Sequence, residues 1–449
     1  MAALIHALRA ALCDGQVSPV TLAEQALARI EDHHALNAIA FVEPARALEE
    51  ARTMAREARA GWLRGPLHGL PITVKDVFNV RDTPLRAGAR APLPEITPDE
   101  ATAVARLRQA GALILAKTNL QEIALGLTGE NPWTGDVKNP HDPDRQAGGS
   151  SSGSAVAVAV GIGVGSLGSD TAGSVRLPAS FCGAVGFKPS YGAIPLDGAL
   201  PLVPSCDHAG PLARTVADVA ALFAVLAGRP NDAWASAAPL PRPPRLVVPA
   251  AYLLGALTSE VRSAFELLIE RLRLADALVD EVTLDIGDPL AGFAPLRAES
   301  VMVHRHALAA QPEAFSPTVR EALMRGYDFS AVQYLHAREY QRALREALHR
   351  ALQGADALVL PAAPCVAPPR GTTEIALEAG SADLRTAILR LTLPAALAGL
   401  PALALPFARI NSLPVALQII APFGADQQVL AVGAWIEALL DEHGLVEVT

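Results

Sequence analysis

The densest chemistry in the chain lies between positions 148 and 178, which read Gly-Gly-Ser-Ser-Ser-Gly-Ser-Ala-Val-Ala-Val-Ala-Val-Gly-Ile-Gly-Val-Gly-Ser-Leu-Gly-Ser-Asp-Thr-Ala-Gly-Ser-Val-Arg-Leu-Pro. Two loops of glycine and serine enclose a small, apolar middle. A serine hydroxyl becomes a nucleophile once a base removes its proton. Three plainer readings compete. A flexible Gly/Ser linker does not normally flank a core-like Ala/Val run. A phosphate cradle of the Walker type needs a lysine after its glycine, and G-x-G-x-x-G opening a βαβ unit is missing as well. Gly149-Ser150-Ser151-Ser152-Gly153 formally meets G-x-S-x-G, but so short a pattern arises readily in such a run and requires a later acid and histidine. His208, His336, His349 and His443 are available, yet nothing around them marks a base.

The order of motifs resembles the amidase signature hydrolases. Their first loop is matched by Gly148-Gly149-Ser150-Ser151-Ser152-Gly153-Ser154 and their second by Asp170-Thr171-Ala172-Gly173-Ser174-Val175-Arg176-Leu177-Pro178, with 24 residues from Ser150 to Ser174. Gly69-Leu70-Pro71-Ile72-Thr73-Val74-Lys75-Asp76 is similar to the family's lysine strand, and Asn139-Pro140 also fits. The likeness continues through Phe181-Cys182-Gly183, Val185 to Ser190, Gly210 to Thr215, Gly399 to Ala402 and Leu413 to Gln418, and is weakest between about 230 and 350. The resemblance implies Ser174 as nucleophile, Ser150 as a bridging serine, Lys75 as base and a cis Gly149–Ser150 peptide. It also implies an oxyanion hole from the N–H groups of Thr171, Ala172, Gly173 and Ser174. Asp170 and Arg176 would brace the loops, although Arg176 could instead receive a substrate carboxylate through its fork. Ala172 and Ser152 stand where many relatives have glycine, and alanine is tolerable if its φ stays negative.

Those roles suit amide hydrolysis, because an amide is a poor electrophile with a poor leaving group. The site must supply a nucleophile, a base that later acts as an acid, and donors for the oxyanion. Lys75 accepts a proton only when neutral, so its pKa must fall from about 10.4. Burial at the end of an apolar strand does this, and Asp76 next door would face the other side. The implied reaction turns a carboxylic acid amide into acid and ammonia through an acyl-enzyme on Ser174, with neither cofactor nor metal. Ala124, Leu125, Gly126 and Leu127 occupy a stretch that lines the acyl pocket in relatives, which suits an aliphatic or aromatic acyl group, or else is plain core. Dicarboxylic, ester and urea-type substrates stay open. The other branch considered is the glutaminase subunit of a tRNA-dependent amidotransferase. Against it, Val319-Arg320-Glu321-Ala322-Leu323-Met324-Arg325-Gly326 lacks the arginine pair expected to hold glutamine. A non-catalytic binding relative is disfavoured by the presence of all three reacting residue types.

The elements that must position these groups alternate. Ser18-Pro19 and Pro44 open N-terminal helices, after a short amphipathic helix between Met1 and Gly15. Leu70 to Lys75 and Ala112 to Ala116 read as strands around a helix from Ala101 to Ala110. Later, Ala357 to Pro361 and Pro414 to Ala421 read as strands and Asp426 to Leu440 as a closing helix. The expected fold is α/β, a mixed, largely parallel central sheet covered by helices on both faces. One amidase signature domain spans 1–449, with N-terminal helices (1–60), a catalytic core (65–230) and a C-terminal half completing the sheet (245–449). The proline-rich run Pro239 to Pro244 is a surface loop or a linker. The 18 uncharged residues Leu391 to Ala408 approach a membrane span, but Pro394, Pro401 and Pro406 favour a buried loop and strand. At 449 residues, 51% hydrophobic and net charge −9, a large core is within reach and a basic nucleic-acid surface is not indicated. Four scattered cysteines and no signal-peptide pattern suit the cytoplasm. The expected partner is a small-molecule amide, without nucleic acid or membrane, and a homodimer stays open.

Overall fold

Apolar segments from both halves of the chain meet in one sheet. The computed structural model describes residues 4–232 and 238–448. In the first half the strands are Ile39–Val42 (β1), Pro71–Lys75 (β2), Leu113–Thr118 (β3), Gly165–Asp170 (β4), Val185–Lys188 (β5) and His208–Ala213 (β6). The second half adds Arg245–Val248 (β7), Leu278–Glu281 (β8), Ala357–Pro361 (β9), Glu374–Leu377 (β10) and Gly380–Asp383 (β11). Ala402–Ile410 (β12), Leu413–Ile420 (β13) and Val446–Val448 (β14) close the series. The strand order is β1-β3-β2-β4-β6-β5-β12-β13-β9-β7-β8, with β14 beside β12 and β10–β11 forming a separate hairpin.

The sheet is mixed. Parallel pairing holds β2 between β3 and β4, β7 between β8 and β9, and β14 on β12, while the remaining neighbours run antiparallel. All residues of β2, β9 and β13 are buried, as continuous apolar runs in a covered sheet should be. Helices flank it, and both Arg176–Cys182 and Asp426–His443 pack on β12 and β13. Because β2 and β4 are parallel neighbours, Lys75 and Asp170 emerge at the same edge, where ligands of α/β sheets bind.

Local signals match local structure. Ser18 Oγ accepts the Thr21 N–H at 3.1 Å and starts helix Pro19–Asp32, and Pro44 opens Pro44–Arg59. Helix Leu4–Cys13 fills the N-terminal reading, whose first three residues lie outside the described ones. The proline-rich run passes directly into β7 of the same sheet. It is tied there by the Arg242 fork on Asp356, at 2.8 and 2.9 Å. No helix among the described residues is long and apolar enough to cross a membrane.

One expectation is corrected. Leu391 to Ala408 is not loop followed by strand: its first part completes helix Leu384–Leu397, with Pro394 inside, before β12 begins. Proline lacks the N–H that would bond the carbonyl four residues back. Here that carbonyl, of Arg390, accepts the Tyr252 hydroxyl at 2.6 Å, so a distant side chain supplies the missing donor.

Helix Ser152–Ala159 follows the first serine loop and lies against β2, β3 and β4. Gly153 is what lets it dock. Its N–H bonds the Asn119 carbonyl at 3.0 Å, and a Cβ there would collide with the Ala38 and Asn119 carbonyl oxygens. Gly153→Ala is therefore expected to destabilise the protein by about 1–3 kcal/mol, read as a lowered urea midpoint.

Candidate active site

Lys75 is fully buried at the end of β2, and its Nζ lies 2.8 Å from both Ser150 Oγ and Ser169 Oγ. No local pattern in the sequence singles out Ser169. It comes from the end of β4, which runs parallel beside β2 and so reaches the same end of the sheet as the lysine, and only strand pairing reveals it. Burial lowers the Lys75 pKa to about 7, against the opposing charges of Asp170 and Asp207. Asp76 takes no part. In the turn just past the end of β2, it forms a 2.5 Å ion pair with Lys117 and accepts the Arg86 and Ala87 N–H groups, which engage its carboxylate away from Lys75.

The two serine loops are bonded to each other. The Gly149–Ser150 peptide is cis, the Ser151 N–H donates to the Ser174 carbonyl at 3.1 Å, and Ser151 Oγ donates to the Ser169 carbonyl at 3.0 Å. Ser150 is fully buried and Ser174 nearly so.

Asp170 and Arg176 organise the second loop from within. The guanidinium grips the carboxylate with Nε to Oδ2 at 3.0 Å and Nη2 to Oδ1 at 2.9 Å, both groups having no exposure. Burial alone would raise the Asp170 pKa, but Arg176 holds it below the ordinary carboxylate range. Arg176 also donates to the Thr392 carbonyl at 2.8 Å and to Gln418 Oε1. With each guanidinium nitrogen bonded to protein and the side chain fully buried, it has no face for a substrate carboxylate. Asp170 further accepts N–H groups from Gly173, Val175 and Arg176. The Gly173 N–H, expected among the oxyanion donors, thus points at Asp170 Oδ1 at 2.8 Å. Gly173 has φ +125°, and a Cβ there would strike the Thr392 side chain. Ala172 stays outside the left-handed region, so its methyl is accommodated. Its carbonyl accepts the Thr392 hydroxyl at 2.6 Å.

His208 lies behind this loop, its Nδ1 3.1 Å from the Asp170 carbonyl and its ring edge-on to Tyr191. Burial, then the Lys188 charge, lowers its pKa, leaving a neutral structural imidazole.

Ser174, Thr171 and Ala172 open into a pocket. Ala124, Leu125, Gly126 and Leu127 all line it, as the sequence suggests. The facing wall comes from the stretch of weakest likeness and carries no sequence signal: Phe293, Arg297, Ser300 and Ala322, joined by Arg385 and Leu389 of helix Leu384–Leu397. Single arginines on unrelated helices leave no sequence pattern. Among the described residues no cluster of three or more His, Cys, Asp or Glu could hold a metal.

A family model described as Amidase matches residues 21–430. The chain is 32% identical to the A subunit of the glutamyl-tRNA(Gln) amidotransferase from Ralstonia nicotianae, with 98% of each covered. Among solved structures, one described as an amidase is 50% identical with TM-score 0.94, covering 97% of this chain and 99% of the other. A peptide amidase from Stenotrophomonas maltophilia is 30% identical with TM-score 0.80, covering 96% and 95%.

Removing Arg176 would strand a buried carboxylate. Arg176→Ala is expected to cost about 3–5 kcal/mol of stability in urea unfolding, whereas the exposed Arg325, paired with Glu321, should cost under about 1 kcal/mol when changed to alanine.

Proposed function

The chain belongs to the amidase signature family, hydrolases of amide C–N bonds, and from that premise we propose that it cleaves a carboxylic acid amide to the acid and ammonia through Lys75, Ser150 and Ser174. The observation that carries this is the buried Lys75 Nζ held 2.8 Å from Ser150 Oγ, with its pKa lowered to about 7. A lysine so placed is half neutral near pH 7, which a base needs to be.

Ser174 Oγ attacks the amide carbonyl carbon while its proton passes to Ser150 and the Ser150 proton passes to Lys75. The negative charge gathering on the carbonyl oxygen is met by the N–H groups of Thr171, Ala172 and Ser174, the Gly173 N–H being held by Asp170. Collapse of the tetrahedral adduct breaks the C–N bond, and the relay returns the proton to the departing nitrogen. Water then adds to the Ser174 ester by the same relay, releasing the acid. Ser169 Oγ, also 2.8 Å from Nζ, helps hold the Lys75 amine beside Ser150.

A second reading has the chain as the glutaminase subunit of a tRNA-dependent amidotransferase, handing ammonia to a partner. The near full-length similarity to relatives of that name favours it.

Assaying the purified chain for ammonia release over aliphatic, aromatic and dicarboxylic amides plus glutamine separates the two. Turnover by the chain alone, lowered at least about 10³-fold in folded Ser174→Ala, is the expected result. Full activity in that variant would refute the assignment, and glutaminase activity only with added partner subunits and tRNA would establish the second reading. The pH dependence follows from Lys75. Below about pH 7 the amine is protonated and cannot accept, so kcat/KM should fall roughly tenfold per unit as pH drops and level off above it. A flat profile from pH 5 to 9 would contradict the role of Lys75.

A further inference from the structure

Two neighbouring arginines, Arg297 and Arg385, line the pocket in front of Ser174. Arg297, half-buried, closes the turn Ala294–Arg297, and Arg385 lies in the first turn of helix Leu384–Leu397, inside the concavity yet open to water. Around them the lining is apolar or hydroxyl-bearing, and among the described residues it includes no aspartate or glutamate.

The acids in the neighbourhood are engaged elsewhere. Glu122 accepts the Ser316 N–H, Glu299 accepts from Ser205 and Tyr334, and Asp207 takes Thr171 and two backbone N–H groups. Asp383, whose charge reaches Arg385, caps its own helix through the Thr386 N–H and faces solvent. Arg297 makes a long bond to the Ala294 carbonyl at 3.4 Å, and the nearby Arg325 is paired with Glu321. Desolvation, then the charge of Arg325, lowers the Arg297 pKa; desolvation, then the charge of Arg297, lowers that of Arg385. Two like charges thus face one pocket, and an anion between them would relieve their repulsion. A planar guanidinium fork matches a carboxylate bidentately.

We propose that this part of the pocket receives a carboxylate on the acyl part of the substrate, held by Arg297 and Arg385 while the amide carbonyl meets Ser174, so that the preferred amides are monoamides of dicarboxylic acids. The inference rests on the amidase reading of the same site. It gives Arg297 and Arg385 the substrate-binding role for which Arg176 has no free face.

The test pairs amides of equal length, succinamic acid with butyramide and glutaramic acid with pentanamide. In the unaltered protein the carboxylated member of at least one pair should win in kcat/KM by about 10–100-fold. Arg297→Gln and Arg385→Gln should each lower that ratio about tenfold or more, and Arg297→Lys and Arg385→Lys should recover part of it. Ser174-dependent hydrolysis with a ratio near one or below in both pairs overturns the carboxylate site and leaves the amidase reading standing. If no amide is turned over, the amidase reading fails and calorimetric titration with glutarate decides. Binding that weakens at least about tenfold in both Gln variants, folded by circular dichroism, upholds the site. No binding, or binding indifferent to both variants, overturns it.

Discussion

The buried ion pair between Asp170 and Arg176 is the constraint on which the rest of the site depends. Two charges without solvent exposure persist only when each is fully hydrogen-bonded, and this pair draws its bonds from separate parts of the fold. Asp170 gathers three N–H groups of the turn carrying Ser174, while Arg176 reaches the Thr392 carbonyl and the Gln418 amide of β13. The turn therefore has one arrangement. Its glycine at position 173 supplies the φ and the clearance from Thr392 that this arrangement needs.

Charge is partitioned around that centre. Lys75, the last residue of β2, points to the serine loops, whereas Asp76 in the turn that follows is bound to Lys117, so the nearest carboxylate in sequence is kept from the lysine. What remains near Lys75, Asp170 and Asp207, is itself occupied by Arg176 and by hydrogen-bond donors. Desolvation then prevails over attraction, and the amine sits near neutrality instead of being locked as an ammonium.

Helix Leu384–Leu397 links the chemistry to substrate recognition. Arg385, Leu389 and Thr392 recur at helical spacing on one face, the first two lining the pocket and the third holding the Ala172 carbonyl. A rigid element so shared fixes the distance between Arg385 in the pocket and the turn that carries Ser174. Glu122 does the same for the opposite wall, tying the turn before Ala124 to Ser316.

Whatever depends on neighbours along the chain is legible in the order of residues. The serine loops, the lysine at the end of an apolar strand, the capped helices and the apolar run at 124–127 can all be read there, because caps, strand runs and glycine turns are local physics. The helical identity of Leu391 to Leu397 cannot, because the donor that makes Pro394 tolerable is a tyrosine 142 residues away. Ser169 as a partner of Lys75, the diversion of the Gly173 N–H, the withdrawal of Arg176 from substrate and the meeting of Arg297 with Arg385 are likewise decided in three dimensions. Each rests on strand register or helix packing between segments far apart in the chain, and single residues at such places leave no periodicity to read.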